Sequence, residues 1–191
     1  MMKNIVLIGG NGYIGQEVLR QWLEQDVDAR FYVISRSGKS RIVNERVVNL
    51  SADFTEKDLE LSGLPSQIDY MVDFVGRPEN DKDLLRKVNE VPVDNMIKLA
   101  EKYQVPTLGY IGGVLGPKSF TNVKKEMIRK LENTGKNIAY VEPTVVYGGG
   151  RKDALSKMVP LFKFFGLFSK NMKPVTVDMV ASELIQKLTS F

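Results

Sequence analysis

The 191-residue chain contains neither cysteine nor histidine. Without cysteine there are no disulfides, no thiolate nucleophile and no thiolate-ligated zinc, while the cellular compartment is left open. Without histidine there is no Ser-His-Asp relay, no imidazole base and no imidazole-held metal. Proton transfer therefore falls to Tyr, Lys, Asp, Glu, Ser, Thr or water, and no metal site is expected. Long hydrophobic runs are missing too. The apolar run from Ile5 to Ile8 is too short for the core of a signal peptide or for a membrane span, and no later stretch is long enough. Basic runs interleaved with aromatics are absent, which leaves nucleic acid without support as a partner. A soluble, cytoplasmic protein is the expectation.

What remains is the composition of an ordinary globular chain, with 43% hydrophobic residues and 26% charged ones. Twenty-seven Lys and Arg against 23 Asp and Glu give a net charge of +4. That excess suits a lysine-rich surface or an anionic cofactor. The length predicts a single domain over 1–191.

Strand-length apolar runs alternate with amphipathic segments of helix length. This is the pattern of βαβ units around a parallel sheet. Strands are predicted at 3–8, Arg30–Ser35, 46–50, 69–75, Thr107–Ile111 and Asn137–Val141. Helices are predicted at Tyr13–Gln25, 81–104 and 120–134, with a short helical turn at 56–61, and a last segment over 174–188 reads as a short extended piece running into a terminal helix. The continuous apolar character of the first and fourth strands suits burial on both faces. The fold class is therefore α/β: a doubly wound parallel sheet of the Rossmann type in three layers, closed by a small C-terminal cap over about 148–191.

Gly9, Gly12 and Gly15 stand three apart, between the first strand and the first helix. In a dinucleotide-binding turn the first glycine permits the tight bend, the second admits the pyrophosphate to the backbone, and the third lets helix and strand pack closely. In such a turn the start of the helix, here at Tyr13 and Ile14, turns its leading N–H groups and the positive end of a dipole toward the phosphates. The second strand ends in Ser35-Arg36-Ser37. An acidic residue there would select NAD through the ribose hydroxyl; Arg36 instead suits the 2′-phosphate of NADP. NADP is thus the first choice of cofactor and NAD the second. Lys39 and Arg41 add charge nearby, and an exposed basic loop is the plainer reading of the same residues.

These residues carry a resemblance to the extended or atypical short-chain dehydrogenase/reductases, the group that includes NAD-dependent epimerases and dehydratases. The glycine pattern matches. Asp53-Phe54 resembles the family's adenine-contacting position, Val75-Gly76 its ribose-lining strand end, and Asn89 its fourth-helix asparagine. Glu142 to Gly148 is similar to the stretch behind the nicotinamide, which implies contacts from Pro143 and Val145, and Val180-Ala181 match its closing segment. The resemblance also implies a Ser at the end of strand five and a Tyr-x-x-x-Lys on the next helix, the Tyr giving a proton as hydride arrives. Here Gly112 and Gly113 stand where the Ser is expected. The helix reads Phe120-Thr121-Asn122-Val123-Lys124, so the Lys is kept and the Tyr is Phe. Lys124 is then either a ligand of the nicotinamide ribose or a solvated charge. Tyr110, Tyr147, Thr144 and Lys118 are the candidate stand-in proton donors.

Two functions follow from the resemblance. One is an NADP(H)-dependent oxidoreductase with a non-standard proton donor. The other is a catalytically silent nucleotide-binding protein, a redox sensor or an assembly factor. A narrower likeness to the atypical members associated with respiratory complex I and the coenzyme Q biosynthetic complex rests on Gly-Gly-Asn-Gly-Tyr-Ile-Gly and Ser-Arg-Ser-Gly-Lys. The segment 153–168 reads as an apolar helix flanked by lysines. It suits packing on the sheet, a lid over a hydrophobic small-molecule substrate, a peripheral membrane contact, or an interface with a protein partner or a second copy.

Overall fold

A computed structural model describes residues 2–149 and 174–191 of the chain. Six strands make one parallel sheet: β1 (Asn4–Ile8), β2 (Arg30–Ser35), β3 (Val47–Ser51), β4 (Tyr70–Asp73), β5 (Thr107–Ile111) and β6 (Asn137–Val141). Their order is β3-β2-β1-β4-β5-β6, with every neighbouring pair parallel. The order reverses between β1 and β4, which opens a crevice at the carboxyl ends of the strands. Strand β1 is the centre of this arrangement. Its residues Ile5, Val6, Leu7 and Ile8 are all 0% exposed, alternating between the two faces.

Helices α1 (Tyr13–Gln25) and α4 (Val177–Leu188) cover one face, and α2 (Lys82–Lys102) and α3 (Lys118–Glu132) the other. The helix α1 buries Gly15, Val18, Leu19, Trp22 and Leu23, a stripe at the 3.6-residue period. Trp22 packs edge-on to Phe31 with ring centroids 6.1 Å apart, and at 5.4 Å from Tyr70. The second face holds Ile8, Ile34, Met71, Met96, Leu108, Val123 and Leu131.

The six predicted strands and the helices expected at 13–25, 81–104 and 120–134 are present, with shifts that have local causes. The expected strand 69–75 ends at Asp73, because the Val75 amide turns back to the Asp73 carboxylate at 2.8 Å. The helix expected over 81–104 has Asp81 as its cap, whose side chain accepts from the Leu84 amide, and it stops before Gln104, a residue at φ 52°. The helix expected over 120–134 begins two residues earlier, directly after Pro117, and β3 lies one residue later than expected. No helix forms at 56–61. There Asn95 Nδ2 donates to the carbonyls of Phe54 (3.0 Å) and Glu56 (2.8 Å), which takes them out of any local helical ladder.

The extended piece and terminal helix expected over 174–188 are present, but their pairing with a second short strand was not anticipated. The strands β7 (Val146–Tyr147) and β8 (Val175–Thr176) run parallel, and β8 leads directly into α4. Within the region expected as a cap, α4 packs beside α1 and buries Val180, Ala181, Leu184 and Leu188. The predicted apolar helix 153–168 lies outside the described residues.

Gly109 shows how closely α4 is seated. A Cβ there would come within 2.9 Å of both Val72 methyls and 3.2 Å of Leu188 Cδ2. Gly109→Ala is therefore expected to destabilise the protein by roughly 1–3 kcal/mol through overpacking. Urea unfolding checks this, and an unchanged midpoint contradicts the packing described.

Candidate functional site

The turn from β1 into α1 is built on glycines that tolerate no ordinary side chain. Gly9 adopts φ 72°, and its amide donates to the Ile34 carbonyl at 2.8 Å, tying the turn to the end of β2. A Cβ on Gly15 would lie 2.7 Å from Gly10 Cα, so the helix meets the turn backbone to backbone. Gly12 is the residue before α1, with an extended conformation and no side-chain cap on the helix. The first turn also carries no acidic residue. The leading N–H groups of α1 thus lack the side-chain acceptors that usually satisfy a helix start.

Beside this turn lies a cleft of about 620 Å³, lined by Gly9, Gly12, Arg36, Asp53, Phe54 and Val75 among others. Asn11 braces its rim. The Asn11 side-chain amide donates to Ser35 Oγ at 2.8 Å and to the Lys39 carbonyl, and Gln16 Nε2 donates to the Asn11 carbonyl at 2.8 Å. At the far wall, burial pushes the Asp53 carboxyl up. The Thr55 hydroxyl (2.7 Å) and amide (2.9 Å), with the Arg36 and Lys87 charges, outweigh burial and hold it below its ordinary value. Asp53 is therefore an ionised acceptor with one oxygen already engaged. Arg36 is exposed at the cleft mouth; Arg77 and Lys87 also line it, paired with Glu79 at 2.6 Å and with the lining residue Glu56 at 3.0 Å.

A polar cluster lies beneath the sheet edge next to this cleft. Asp73 ends β4 and is paired in register with Tyr110 of β5, so both point toward α2 and α3. Opposite them are Asn89 of α2 and Lys124 of α3. Asp73 and Asn89 are 0% exposed and Lys124 is 4% exposed. Lys124 Nζ donates to the Ile111 carbonyl at 3.0 Å and sits 4.6 Å from the Tyr110 ring centroid. Asp73 Oδ2, Asn89 Oδ1 and Tyr110 Oη have no hydrogen-bond partner among the described residues. Burial pushes the Asp73 carboxyl up to about 7 against the pull of the Val75 amide and Lys124, and pushes the Lys124 ammonium down to about 8 against the pull of Asp73. Burial and the Asp73 charge push the Tyr110 phenol well above its ordinary value.

The absent serine and tyrosine have structural counterparts. Phe120 lies one helical turn from Lys124, with its ring centroid 5.7 Å from Nζ. A Cβ on Gly112 would meet Glu142 Cγ at 2.8 Å, whereas one on Gly113 meets nothing nearer than Phe120 Cε1 at 3.6 Å. The Glu142 side chain thus fills the space that a Gly112 side chain would need. Sequence reasoning named Glu142 only as part of a motif.

Of the other predicted residues, Ile14 packs on the α1-side core, and Tyr13 reaches Gly148 O through its hydroxyl at 2.9 Å. Gly76 is not in the cleft lining; at φ 132° it covers the polar cluster, and a Cβ there would fall 2.5 Å from Asn89 Oδ1 and 2.7 Å from Lys124 Nζ. Lys124 is not a solvated charge. Val145 is buried, and Pro143 lines a separate groove between β6 and α4 with Glu142, Asp178 and Glu183. Among the candidate stand-in donors Tyr110 is sealed in the core, while Lys118 is exposed at the start of α3. Asn11, Asp73 and Asn95 were missed as functional positions. Asp73 alone left a sequence signal, as a carboxylate ending an otherwise apolar strand.

Comparison of the whole fold with solved structures gives extensive matches. The enzyme WbmH of Bordetella bronchiseptica, solved with NAD+, superposes with a TM-score of 0.73 at 17% identity, over 100% of this chain and 73% of that one. UDP-glucose 4-epimerase of Thermus thermophilus, in complex with NAD, gives 0.70 at 16%, over 98% and 75%. ElxO with NADP bound gives 0.67 at 17%, over 100% and 92%. The fold is that of the epimerase- and reductase-type Rossmann proteins. No protein-family model and no curated protein matches the sequence. At such identities the likeness carries the fold, and the chemistry rests on this chain's own residues. No described helix is long and apolar enough to cross a membrane.

Asp73 generates a pH prediction. Its folded-state value lies above that of the unfolded chain, so the native protein binds the extra proton, and this group's contribution to stability falls as pH rises from about 4 to about 7. Asp73→Asn removes the effect. The variant is expected to gain stability relative to wild type across that window, by an amount on the order of a few kcal/mol, and to gain no more above it. Chemical denaturation at stepped pH measures the difference, and parallel curves for the two proteins contradict the assignment.

Proposed function

We propose that the chain binds NADP(H) in the cleft beside the glycine turn and belongs to the oxidoreductase type of nucleotide-binding protein. The observation that carries this reading is the start of α1, which has no capping side chain and no acidic residue in its first turn and stands beside a cleft lined by Gly9, Gly12 and Arg36. A pyrophosphate needs unpaired N–H groups, room at the second glycine and no competing carboxylate. A Cβ on Gly12 would meet only the Gly9 carbonyl, at 3.1 Å, so the side of the turn that glycine leaves bare is open. The residues fit the group.

In this reading the leading amides of α1, from Tyr13 to Gly15, hold the pyrophosphate, Gly12, whose own amide donates to the Gly9 carbonyl at 2.8 Å, leaves room for it, and Arg36 takes the 2′-phosphate. Asp53 and Phe54 serve the adenine. Val75 borders its ribose; Gly76 and Lys124 stand behind that wall, Val145 is buried and Pro143 lines the separate groove, so none of these four enters the proposed contacts. Bound there, the nicotinamide supplies or accepts hydride. The chain's own part is to orient it and to provide a proton donor, and Phe120 cannot give one.

That last fact favours a second reading, a silent nucleotide-binding protein in which the cofactor is structural or sensory. The missing general acid typically costs 10²–10⁴-fold in rate. An NADPH oxidation assay over aldehydes, ketones and quinones distinguishes the two. Turnover by wild type supports the enzyme and points to another donor. No turnover by wild type, with a gain in Phe120→Tyr combined with Gly113→Ser, supports the silent reading. Gly113 is the position to restore, since a serine at 112 would collide with Glu142.

Cofactor binding itself is checked by calorimetry. Arg36→Ala is expected to weaken NADPH roughly ten- to hundredfold, the loss of one charge-assisted phosphate contact, and to leave NADH nearly unchanged. Gly12→Val is expected to abolish binding of both. Equal loss of the two cofactors in Arg36→Ala contradicts the NADP assignment, and undiminished binding by Gly12→Val contradicts the site.

A further inference from the structure

The polar cluster and the cleft share a wall. Phe74, Val75 and Arg77 line the cleft, and the same four-residue segment, Phe74 to Arg77, covers the cluster. Two hydrogen bonds from the cluster hold that segment. Asp73 Oδ1 accepts from the Val75 amide at 2.8 Å, and Asn89 Nδ2 donates to the Arg77 carbonyl at 2.9 Å while also donating to the Leu85 carbonyl at 2.8 Å. Gly76, between them, lies against Asn89 Oδ1 and Lys124 Nζ, where a methyl group has no room. The conformation of the cleft wall is therefore set by what the cluster does.

The cluster has few members. Strand β4 contributes Asp73, β5 contributes Tyr110 and α3 contributes Lys124. Helix α2 contributes the neutral amide of Asn89. Neighbouring β1 contributes only Ile8 in the register position beside Asp73, and β6 contributes Tyr140 beside Tyr110. Among the described residues, Asp73 is the ionisable group whose charge acts on the Lys124 ammonium. An ionised Asp73 makes a charge-assisted bond to the Val75 amide, about twice as strong as a neutral one. A protonated Asp73 weakens it and leaves Lys124 as an uncompensated buried cation.

We propose that Asp73 is a positioning residue whose carboxylate, when ionised, orders the Phe74–Arg77 wall through the Val75 amide, so that dinucleotide binding in the cleft is linked to a proton on Asp73. Binding favours the ordered wall and hence the ionised carboxylate. Ligand binding then releases a proton, and affinity weakens as the pH falls through the neutral range. The inference rests on the cleft being a dinucleotide site, but the pair itself is testable without ligand.

The experiment has two arms. In the ligand-free protein, the Asp73 carboxyl carbon is followed by NMR against pH in wild type and in Lys124→Met. The expected result is titration in the neutral range and an upward shift of about one pH unit in the variant, the loss of a nearby opposite charge. Titration of Asp73 in the ordinary carboxylate range, or no response to Lys124→Met, overturns the proposal.

In the second arm NADPH binding is measured by calorimetry from pH 6 to 8.5, in two buffers of different ionisation enthalpy, for wild type and Asp73→Asn. The 2′-phosphate titrates near pH 6 and acts on both proteins alike, so their difference is read. Wild type is expected to lose about tenfold more affinity than the variant between pH 8 and pH 6, with proton release that the variant lacks. Equal pH profiles and equal proton counts overturn the linkage. An NMR titration as expected, combined with no NADPH binding at any pH, contradicts the cofactor assignment and the linkage with it, while leaving the buried pair intact.

Discussion

The approach of Gly15 to Gly10 is the constraint on which the rest of the site depends. Because neither residue has a side chain, α1 starts in direct backbone contact with the turn after β1, and the helix axis is aimed at the carboxyl edge of the sheet. The Gly9 amide fixes the same turn to β2, and Asn11 fixes it to the loop after β2. One short segment thus sets the position of the helix start relative to Arg36, which follows β2, and to Val75, whose methyl would meet any Cβ at Gly9 at 2.9 Å. Helix dipole, phosphate-sized opening and candidate 2′-phosphate partner are placed by the same few contacts.

The two faces of the sheet are chemically different. The face under α1 and α4 is largely apolar and buries no charged side chain among the described residues, with Leu7, Leu19, Trp22, Phe31, Ala181 and Leu184 fully or almost fully buried. The face under α2 and α3 is apolar over β1 and β2 but carries Asp73, Asn89, Tyr110 and Lys124 toward the carboxyl ends of β4 and β5. A buried acid and a buried ammonium contribute little to folding free energy compared with a packed apolar pair of the same size. Their placement next to the switch point, where open α/β sheets bind ligands, makes sense as function rather than as stability. Glu142 belongs to the same picture. It puts a half-buried carboxylate where the resemblance leads one to look for a serine hydroxyl.

Much of the fold was legible because its signals are local. Alternating strand and helix lengths, the continuous apolar run of β1 and the three-residue glycine spacing all lie within short windows, and the fold class followed from them. The candidate site was legible in part. Gly9, Gly12, Arg36, Asp53, Phe54 and Val75 do converge on one cleft. The rest depends on pairings that a linear reading does not contain. Asp73 meets Tyr110 only through the β4–β5 register, and Lys124 meets both only because α3 turns its Val123, Met127 and Leu131 stripe inward and carries the lysine with it. That stripe is the signal that could have removed Lys124 from the solvated readings. The expected turn helix at 56–61 failed for a similar reason: Asn95, some forty residues away, takes the carbonyls that a helix would use.

The account's central claim is that a dinucleotide lies across the start of α1. The most direct measurement is an NADPH titration of the 15N-labelled protein, followed by backbone amide resonances. The account predicts saturable shifts concentrated at Gly12 to Gly15, at Arg36 and at Asp53 to Thr55, extending through Val75 to Arg77. No saturable shift at physiological salt, or shifts confined to the groove of Pro143, Asp178 and Glu183, would contradict it.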